Sequence, residues 1–280
     1  MNNDISIILR TKDRYIMLSR ALNDIICQTY KNWVIILVND GGDLNKINKI
    51  IEQKKEKIKG RIKIVNIKEN KGLNVAINVG ARNVKTDFVV VHDDDDTWKE
   101  TFLEESISAL NKYNCMGIVC HTNKVYEDVK NNTIKIKRTK SFNQHLQGVI
   151  SINEMLQYNQ FPPISFLYRT CVYEEIGYYD ESLLVLEDWE FYIRFILKFD
   201  IYVLEKTLAN YHIRINKYSK VFGNTITTNK KEHIKYANII KNRMIREYIK
   251  NNAKEGLFVG IYSGQEYNSV KLFIKKVLKL

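Results

Sequence analysis

The sequence of 280 residues predicts an α/β protein built on a doubly wound, Rossmann-like and mostly parallel sheet. Three observations carry that expectation. Short apolar runs of strand length do not alternate with polar residues, so each reads as a strand buried on both faces. Stretches with apolar residues at i, i+3 and i+4 lie between them, the alternation expected of a parallel sheet. The polar segments "RTKDR", "NDGGD" and "HDDDDTW" all follow the carboxyl ends of those runs, the edge at which such sheets bind ligands.

The strand runs are "ISIILR" (5–10), "WVIILVND" (33–40), "RIKIVNI" (61–67) and "DFVVVHD" (87–93). The helical spacing falls on Ile16, Met17, Ala21, Leu22, Ile25 and Ile26, then on 44–58, then on 73–84. Beyond residue 100 a helix is expected over about 100–112, followed by a strand in "MGIVCH". "KVYEDVKNNTIKIKRTK" alternates like a hairpin turning at Asn131-Asn132. An irregular stretch holds Pro162 and Pro163. Next come "ISFLYRT", a helix from near Thr170, the turn "GYYDES", and a helix "EDWEFYIRFILK" with Trp189, Ile193, Ile196 and Leu197 on its apolar face. A charged helix is expected over 227–252. The final "NSVKLFIKKVLKL" sets Val270, Phe273, Ile274, Val277 and Leu278 mostly opposite Lys271, Lys275, Lys276 and Lys279. The pattern reads as one domain over 1–220, divisible at about residue 100, with a helical extension over 221–280.

Composition narrows the class. At 45% hydrophobic, 11% aromatic and 27% charged, broad disorder is excluded. No basic, apolar leader opens the chain and no apolar run approaches the roughly 18 residues of a membrane span, so a cytoplasmic protein is expected. Cys27, Cys115, Cys120 and Cys171 form no CxxC pair and are expected to be reduced packing residues. A net charge of +12 suits nucleic acid, an anionic membrane or an anionic substrate. Nucleic acid is set aside, because the acidic cluster would repel its phosphates and no recognised binding motif is present.

That cluster is the chain's most informative segment. In "VVVHDDDDTW" four successive carboxylates, Asp93, Asp94, Asp95 and Asp96, repel one another unless a cation compensates them. Mg²⁺ and Mn²⁺ favour oxygen ligands and leave positions for water and phosphate oxygens, so a site for a nucleotide diphosphate fits better than a closed structural cage. An acidic loop capping the helix after Trp98 is the plainer reading. The segment lacks the spaced ligands and glycine of an EF-hand.

"ISIILRTKDR", "VNDGGD", "NKGLNVAINVGARN", "HDDDDTW", "FLYRTCVYEEIGYYDESLLVLEDWEFYIRF" and "NYHIRINKYSK" follow the order and approximate spacing of the family-2 glycosyltransferases of the GT-A fold, which the chain resembles over about 4–220. The resemblance implies a nucleotide-binding half over 1–100 and an acceptor-binding half over 101–220. It implicates Thr11, Asp13, Arg14 and Asp40 in holding the nucleotide base. A carboxylate such as Asp40 accepts the imide N–H of uracil, which favours a UDP-sugar. It makes Asp95 the first and Asp93 the second ligand of Mn²⁺ or Mg²⁺, with Asp93 and Asp94 also near the donor, Asp94 at its ribose. Asp96 is expected to orient neighbours or cap the next helix. Glu187 and Asp188 match the family's catalytic "ED" pair, Asp188 as general base and Glu187 as its support; a plain N-terminal cap on a helix dipole is the alternative. Trp189 is the candidate to stack on an acceptor sugar, with packing in the core as the plainer reading of a tryptophan on an apolar helix face.

The implied reaction is inverting transfer of a sugar from a nucleotide-diphosphate sugar to a hydroxyl of a glycan or lipid-linked saccharide. Three departures from the family pattern stand out. Asn39 replaces the first of two aspartates, Ile77 occupies the place of an arginine, and His212 and Arg214 are exchanged in the late "Y-R-x-H" segment. Either can meet the diphosphate, but only His212 has a lone pair for metal. Rival readings are a sugar-nucleotide nucleotidyltransferase, against which "RTKDR" lacks a glycine-rich phosphate loop, and a non-catalytic binding relative. The basic tail could rest on an anionic bilayer at the inner face of the membrane or pack against protein.

Overall fold

The computed structural model describes residues 5–130, 133–215 and 230–250. Four parallel strands form its first half: β1 (Ile5–Thr11), β2 (Trp33–Asp40), β3 (Ile62–Ile67) and β4 (Phe88–Asp93). They lie in the order β3-β2-β1-β4. Three helices connect them at the predicted places, α1 (Tyr15–Cys27), α2 (Leu44–Glu52) and α4 (Leu73–Ala81), with a single-turn α3 (Lys55–Ile58). The expected helix over 44–58 is therefore broken: the Lys54 amide bonds back to the Ile51 carbonyl at 2.9 Å, a tighter turn that ends α2.

Consecutive strand residues feed opposite layers. Ile7, Leu9, Ile35, Leu37 and Val90 pack with α1 on one face, and Ile8, Ile36, Val38, Val89 and Val91 pack with α4 on the other. This two-sided burial is why the runs do not alternate.

The second half of the sheet is mixed. A short β5 (Thr97–Trp98) precedes α5 (Phe102–Tyr113), and β6 (Gly117–Lys130) pairs antiparallel with β7 (Thr133–Ser141), giving the expected hairpin, whose Asn131-Asn132 turn lies outside the described residues. After α6 (Ile152–Gln157) and a 3-10 turn at Pro163–Ser165, β8 (Phe166–Arg169) runs antiparallel between β4 and β6. Then follow α7 (Val172–Ile176), α8 (Glu187–Ile196) and β9 (Ile201–Arg214). β9 runs parallel to β6 and antiparallel to β5. No strand was expected at β9, because exposed Glu205 and Lys206 interrupt its apolar pattern.

The predicted charged helix is α9 (Lys230–Lys250). Ile240 is buried, and Tyr236, Ala237 and Met244 pack with it against the core cluster that contains α8. Arg243 pairs with Asp180 at 2.7 Å. The tail over 270–280 lies outside the described residues.

Two smaller expectations need correction. Cys115 and Cys120 are buried packing residues, but Cys27 and Cys171 are exposed, because each sits at a helix end. Leu197, assigned to the apolar face of α8, is 44% exposed where it caps the helix. Among the described residues no helix is long and apolar enough to cross a membrane.

Candidate active site

The sheet order brings β1 beside β4, so the carboxyl end of one faces the acidic segment of the other. Arg10, the penultimate residue of β1, donates to both oxygens of Asp93, from Nε at 2.7 Å and from Nη2 at 2.9 Å. Thr11 donates from its hydroxyl to Asp94 at 2.7 Å. Arg14, just before α1, reaches Asp94 at 2.6 Å and Asp95 at 2.9 Å.

The antiparallel pairing of β5 with β9 closes the other side of the acidic turn. Arg214 forms an ion pair with Asp95, and the His212 amide donates to Asp96 at 2.8 Å. The carboxylates of Asp93, Asp95 and Asp96 offer ligand atoms that all lie within 4.8 Å of one another.

These environments drive Asp94, Asp95 and Asp96 apart. Burial pushes Asp94 up to about 6 against the pull of Arg14. Burial also opposes ionisation of Asp95, yet Arg214 and Arg14 hold it well below the ordinary carboxylate range. Asp96 is raised far above that range by burial and by the negative charges of Asp95 and Asp93. Such a gradient within one short turn is a mark of a functional site.

A second acidic pair stands across a cavity of about 300 Å³ whose lining includes Arg10, Asp93, Asn159, Glu187 and Asp188. Leu186, in the left-handed region at φ 66°, turns the chain into α8 so that Glu187 and Asp188 open the helix. Asp188 accepts from Asn159 Nδ2 at 2.8 Å and from the Trp189 amide at 2.8 Å. Burial raises Asp188 above the usual carboxylate range. Burial and the neighbouring Asp188 charge raise Glu187 to about 7, against the pull of Arg10. Arg10 Nη1 stands 3.7 Å from Glu187 and so spans the two acidic groups.

The entry to α8 is anchored by α4. Asn78 donates to the Tyr179 carbonyl at 2.8 Å and accepts from the Tyr179 amide at 3.0 Å. Asn74 donates to the Leu183 carbonyl. The "NVAINVGARN" segment thus fastens the turn before Glu187 and Asp188. Ile77 stands 1% exposed in the core, which leaves no room for an arginine, and Arg82 instead meets Glu181 at 3.2 Å.

Not every expected residue joins this cluster. The Asp40 oxygens accept the amides of Lys71 and Gly72 at 2.8 and 3.1 Å, which leaves further lone pairs for a base N–H. Asp13 is exposed and accepts from Tyr15 at 2.6 Å and from the Asp43 amide at 3.3 Å, joining the β1 and β2 loops. Next to them Gly41 has φ 80°, and a Cβ there would stand 2.6 Å from the Asn70 nitrogen. Only glycine fits that approach.

Two expectations are corrected outright. Trp189 is 2% exposed and donates from its indole to the Met155 carbonyl at 2.7 Å, so it packs in the core and offers no face to an acceptor. His212, a candidate metal ligand, has Nδ1 against Glu127 at 2.7 Å and Nε2 against Thr97 at 2.9 Å, and Arg214 takes the place at the acidic turn. Sequence reasoning missed Arg10, Asn159 and Glu127. Glu127 also pairs with Arg20 at 2.8 Å, and nothing local in the sequence marks it.

Comparison with known proteins places this arrangement. The protein described as uncharacterized glycosyltransferase YwdF of Bacillus subtilis (strain 168) is 27% identical over 190 residues, covering 68% of this chain and 67% of that protein. Residues 1–349 of S. aureus TarS, solved in complex with UDP-GlcNAc, superpose with a TM-score of 0.62 at 18% identity, over 77% of this chain and 60% of that one. The mannosyltransferase PcManGT of Pyrobaculum calidifontis, solved with GDP-Man and Mn²⁺, superposes with a TM-score of 0.56 at 13% identity, over 76% of this chain and 58% of that one. The chain therefore spans about two thirds or less of each, and the two structures establish the GT-A-like fold alone. Residues 6–173 match the sequence model of "Glycosyl transferase family 2", more than half of the chain and including the acidic turn, and on that match this chain belongs to glycosyl transferase family 2.

Proposed function

We propose that the chain is an inverting glycosyltransferase that moves a sugar from a nucleotide-diphosphate sugar, UDP-linked by preference, to a hydroxyl of a glycan or lipid-linked saccharide. The observation that carries this reading is the shared cavity: Asp93 and Asp188 line the same space, with Arg10 between their two groups.

Asp188 accepts the proton of the attacking hydroxyl. Its oxygens are oriented by Asn159 and the Trp189 amide, and burial makes it more basic than an exposed aspartate, which suits a general base working near neutral pH. Glu187 and Arg10 keep the pair electrostatically balanced. On the donor side Arg14 and Arg214 stand at Asp95, positioned to meet a diphosphate, and Thr11 fixes Asp94 for the ribose. Asp40 and Asp13 stand with the loops assigned to the base.

The donor set fits a hard divalent cation. Asp93, Asp95 and Asp96 present carboxylate oxygens only, which suits Mn²⁺ or Mg²⁺, and the like-charge pressure on Asp96 is of the kind a cation relieves. When bound there it would supply Lewis-acid stabilisation of the departing diphosphate. The Mn²⁺ and GDP-Man held by the Pyrobaculum mannosyltransferase and the UDP-GlcNAc held by TarS support a metal-assisted sugar-nucleotide reading. Contact of the tail over 270–280 with an anionic bilayer is part of the proposal, checked by liposome co-sedimentation of the full chain against one ending before Ser269.

The deciding experiment is thermal stabilisation by UDP, GDP, dTDP and CMP, each with Mn²⁺ and with EDTA. At a ligand concentration near a hundred times Kd, one diphosphate should raise Tm by about 5 °C. The shift should need metal and vanish in Asp95→Ala. Absence of any shift in folded protein would remove the donor reading.

A further inference from the structure

Resting on that reading, we infer that the acceptor presents a neutral pyranose ring, with no phosphate or carboxylate beside the nucleophilic hydroxyl, and that Phe142 and Tyr211 hold that ring.

Two features of the cavity at Asp188 lead there. Its walls are largely apolar, formed in part by Phe142, Phe161, Val185 and Tyr211. Phe142 and Tyr211 form an open aromatic corner, with ring centroids 6.3 Å apart and planes tilted by 32°, and both are only half-buried. The C–H face of a sugar ring packs on such a corner, while Asn159 and Asp188 line the same space as polar groups for its hydroxyls. At about 300 Å³ the space lies at the small end of ligand pockets, room for a ring rather than an extended chain.

The second feature is charge. Among the described residues, Asp93, Glu187 and Asp188 face the cavity against a single arginine, and that arginine is already held by both oxygens of Asp93. Lys124 covers one face of the Phe142 ring at 3.8 Å and is not part of the lining. Among the described residues, His233, contributed by α9, and the Tyr211 phenol are the remaining titratable groups at the wall. With the cation at Asp93 offset by the donor diphosphate, an anionic acceptor would add like charge beside Glu187 and Asp188, whereas a neutral polyol satisfies the polar groups without that penalty.

The test uses the full chain with Mn²⁺ and UDP-glucose, UDP-galactose, UDP-GlcNAc and UDP-GalNAc in turn. Donor hydrolysis with water as acceptor, and donor binding by calorimetry, first report on the transferase reading itself. Neither occurring with any donor overturns that reading and this inference with it. With an active donor, neutral methyl and nitrophenyl pyranosides are compared with the matching sugar phosphates, uronic acids and amino sugars. The expected result is kcat/KM at least about tenfold higher for a neutral pyranoside than for its anionic counterpart. Phe142→Ala and Tyr211→Ala should each raise the acceptor KM by up to about tenfold, and Tyr211→Phe should recover most of the loss. Circular dichroism and Tm confirm that the variants fold; for a variant that does not, Phe142→Leu and Tyr211→Leu supply the same KM comparison. Equal or better use of phosphorylated, uronic or amino sugars, no transfer to any pyranoside despite donor hydrolysis, or an unchanged acceptor KM in both variants would overturn the assignment.

Discussion

Arg10 holds Asp93 through two hydrogen bonds of 2.7 and 2.9 Å although 83 positions separate them in the chain. Because the same guanidinium lies 3.7 Å from Glu187, one side chain sets the distance between the acidic turn and the pair that opens α8. A planar fork is required for that geometry, and a lysine ammonium cannot reproduce it. Arg10→Lys is expected to lower kcat by about tenfold or more, since a charge-assisted bond contributes about 1.5–3 kcal/mol. Steady-state kinetics decide it; wild-type rates in Arg10→Lys would show that the fork is dispensable.

Asp188→Asn should reduce kcat by about 10²–10⁴ while the protein still binds its donor. The pH dependence follows from the signs. With Asp188 as the proposed general base, transfer would need it unprotonated, and burial raises both Asp188 and Glu187, the latter to about 7. Activity is therefore present above the raised values and lost as pH falls through them, with the acid limb displaced from the ordinary carboxylate range toward neutrality. The limb belongs to the coupled pair. A kcat profile flat from pH 5 to pH 8 would contradict this assignment.

Asn39 explains its own departure from the family pattern. Its amide donates to the Gly42 carbonyl and to Asn66 Oδ1, each at 2.7 Å, and its oxygen accepts from the Gly42 amide at 3.0 Å. An aspartate there can accept but cannot donate, so Asn39→Asp sets a carboxylate against two oxygens. Urea denaturation at pH 7 should show a loss of about 2 kcal/mol. A double change with Asn66 replaced by a cationic partner should recover part of it.

Asn78→Ala is expected to affect both stability and rate. It leaves the buried amide and carbonyl of Tyr179 without their partner, at a cost of about 2–3 kcal/mol, and frees the turn that delivers Glu187 and Asp188. Denaturation and kinetics on the same preparation separate the two effects. A stability loss with unchanged kcat would show that α8 is positioned without α4.

Much of the architecture and chemistry was present in local sequence. β1, β2 and β4 are legible because burial on both faces leaves uninterrupted apolar runs, whereas β3, expected to be buried on both faces, is an edge strand that exposes Lys63 and Asn66; an acidic turn of four carboxylates announces a cation or an anionic ligand wherever it folds. Asp94 beside Thr11, or Arg214 beside Asp95, follows only once β1 lies next to β4 and β5 next to β9. Such pairings depend on strand order, which periodicity does not encode. Trp189 shows the limit most plainly. Its helical face was visible, but whether that face met solvent or protein was settled by α6, whose Met155 carbonyl receives the indole N–H. The exchange of His212 and Arg214 is of the same kind. Alternate residues of a strand share a face, so both point toward the acidic side, and it is Glu127 on the neighbouring β6 that claims the imidazole and leaves the guanidinium to Asp95. Sequence by itself therefore determined the first four strands, the acidic turn and the family. The tertiary structure alone decided which cations face which acids, because those partners are distant in the chain and meet only through the order of the strands.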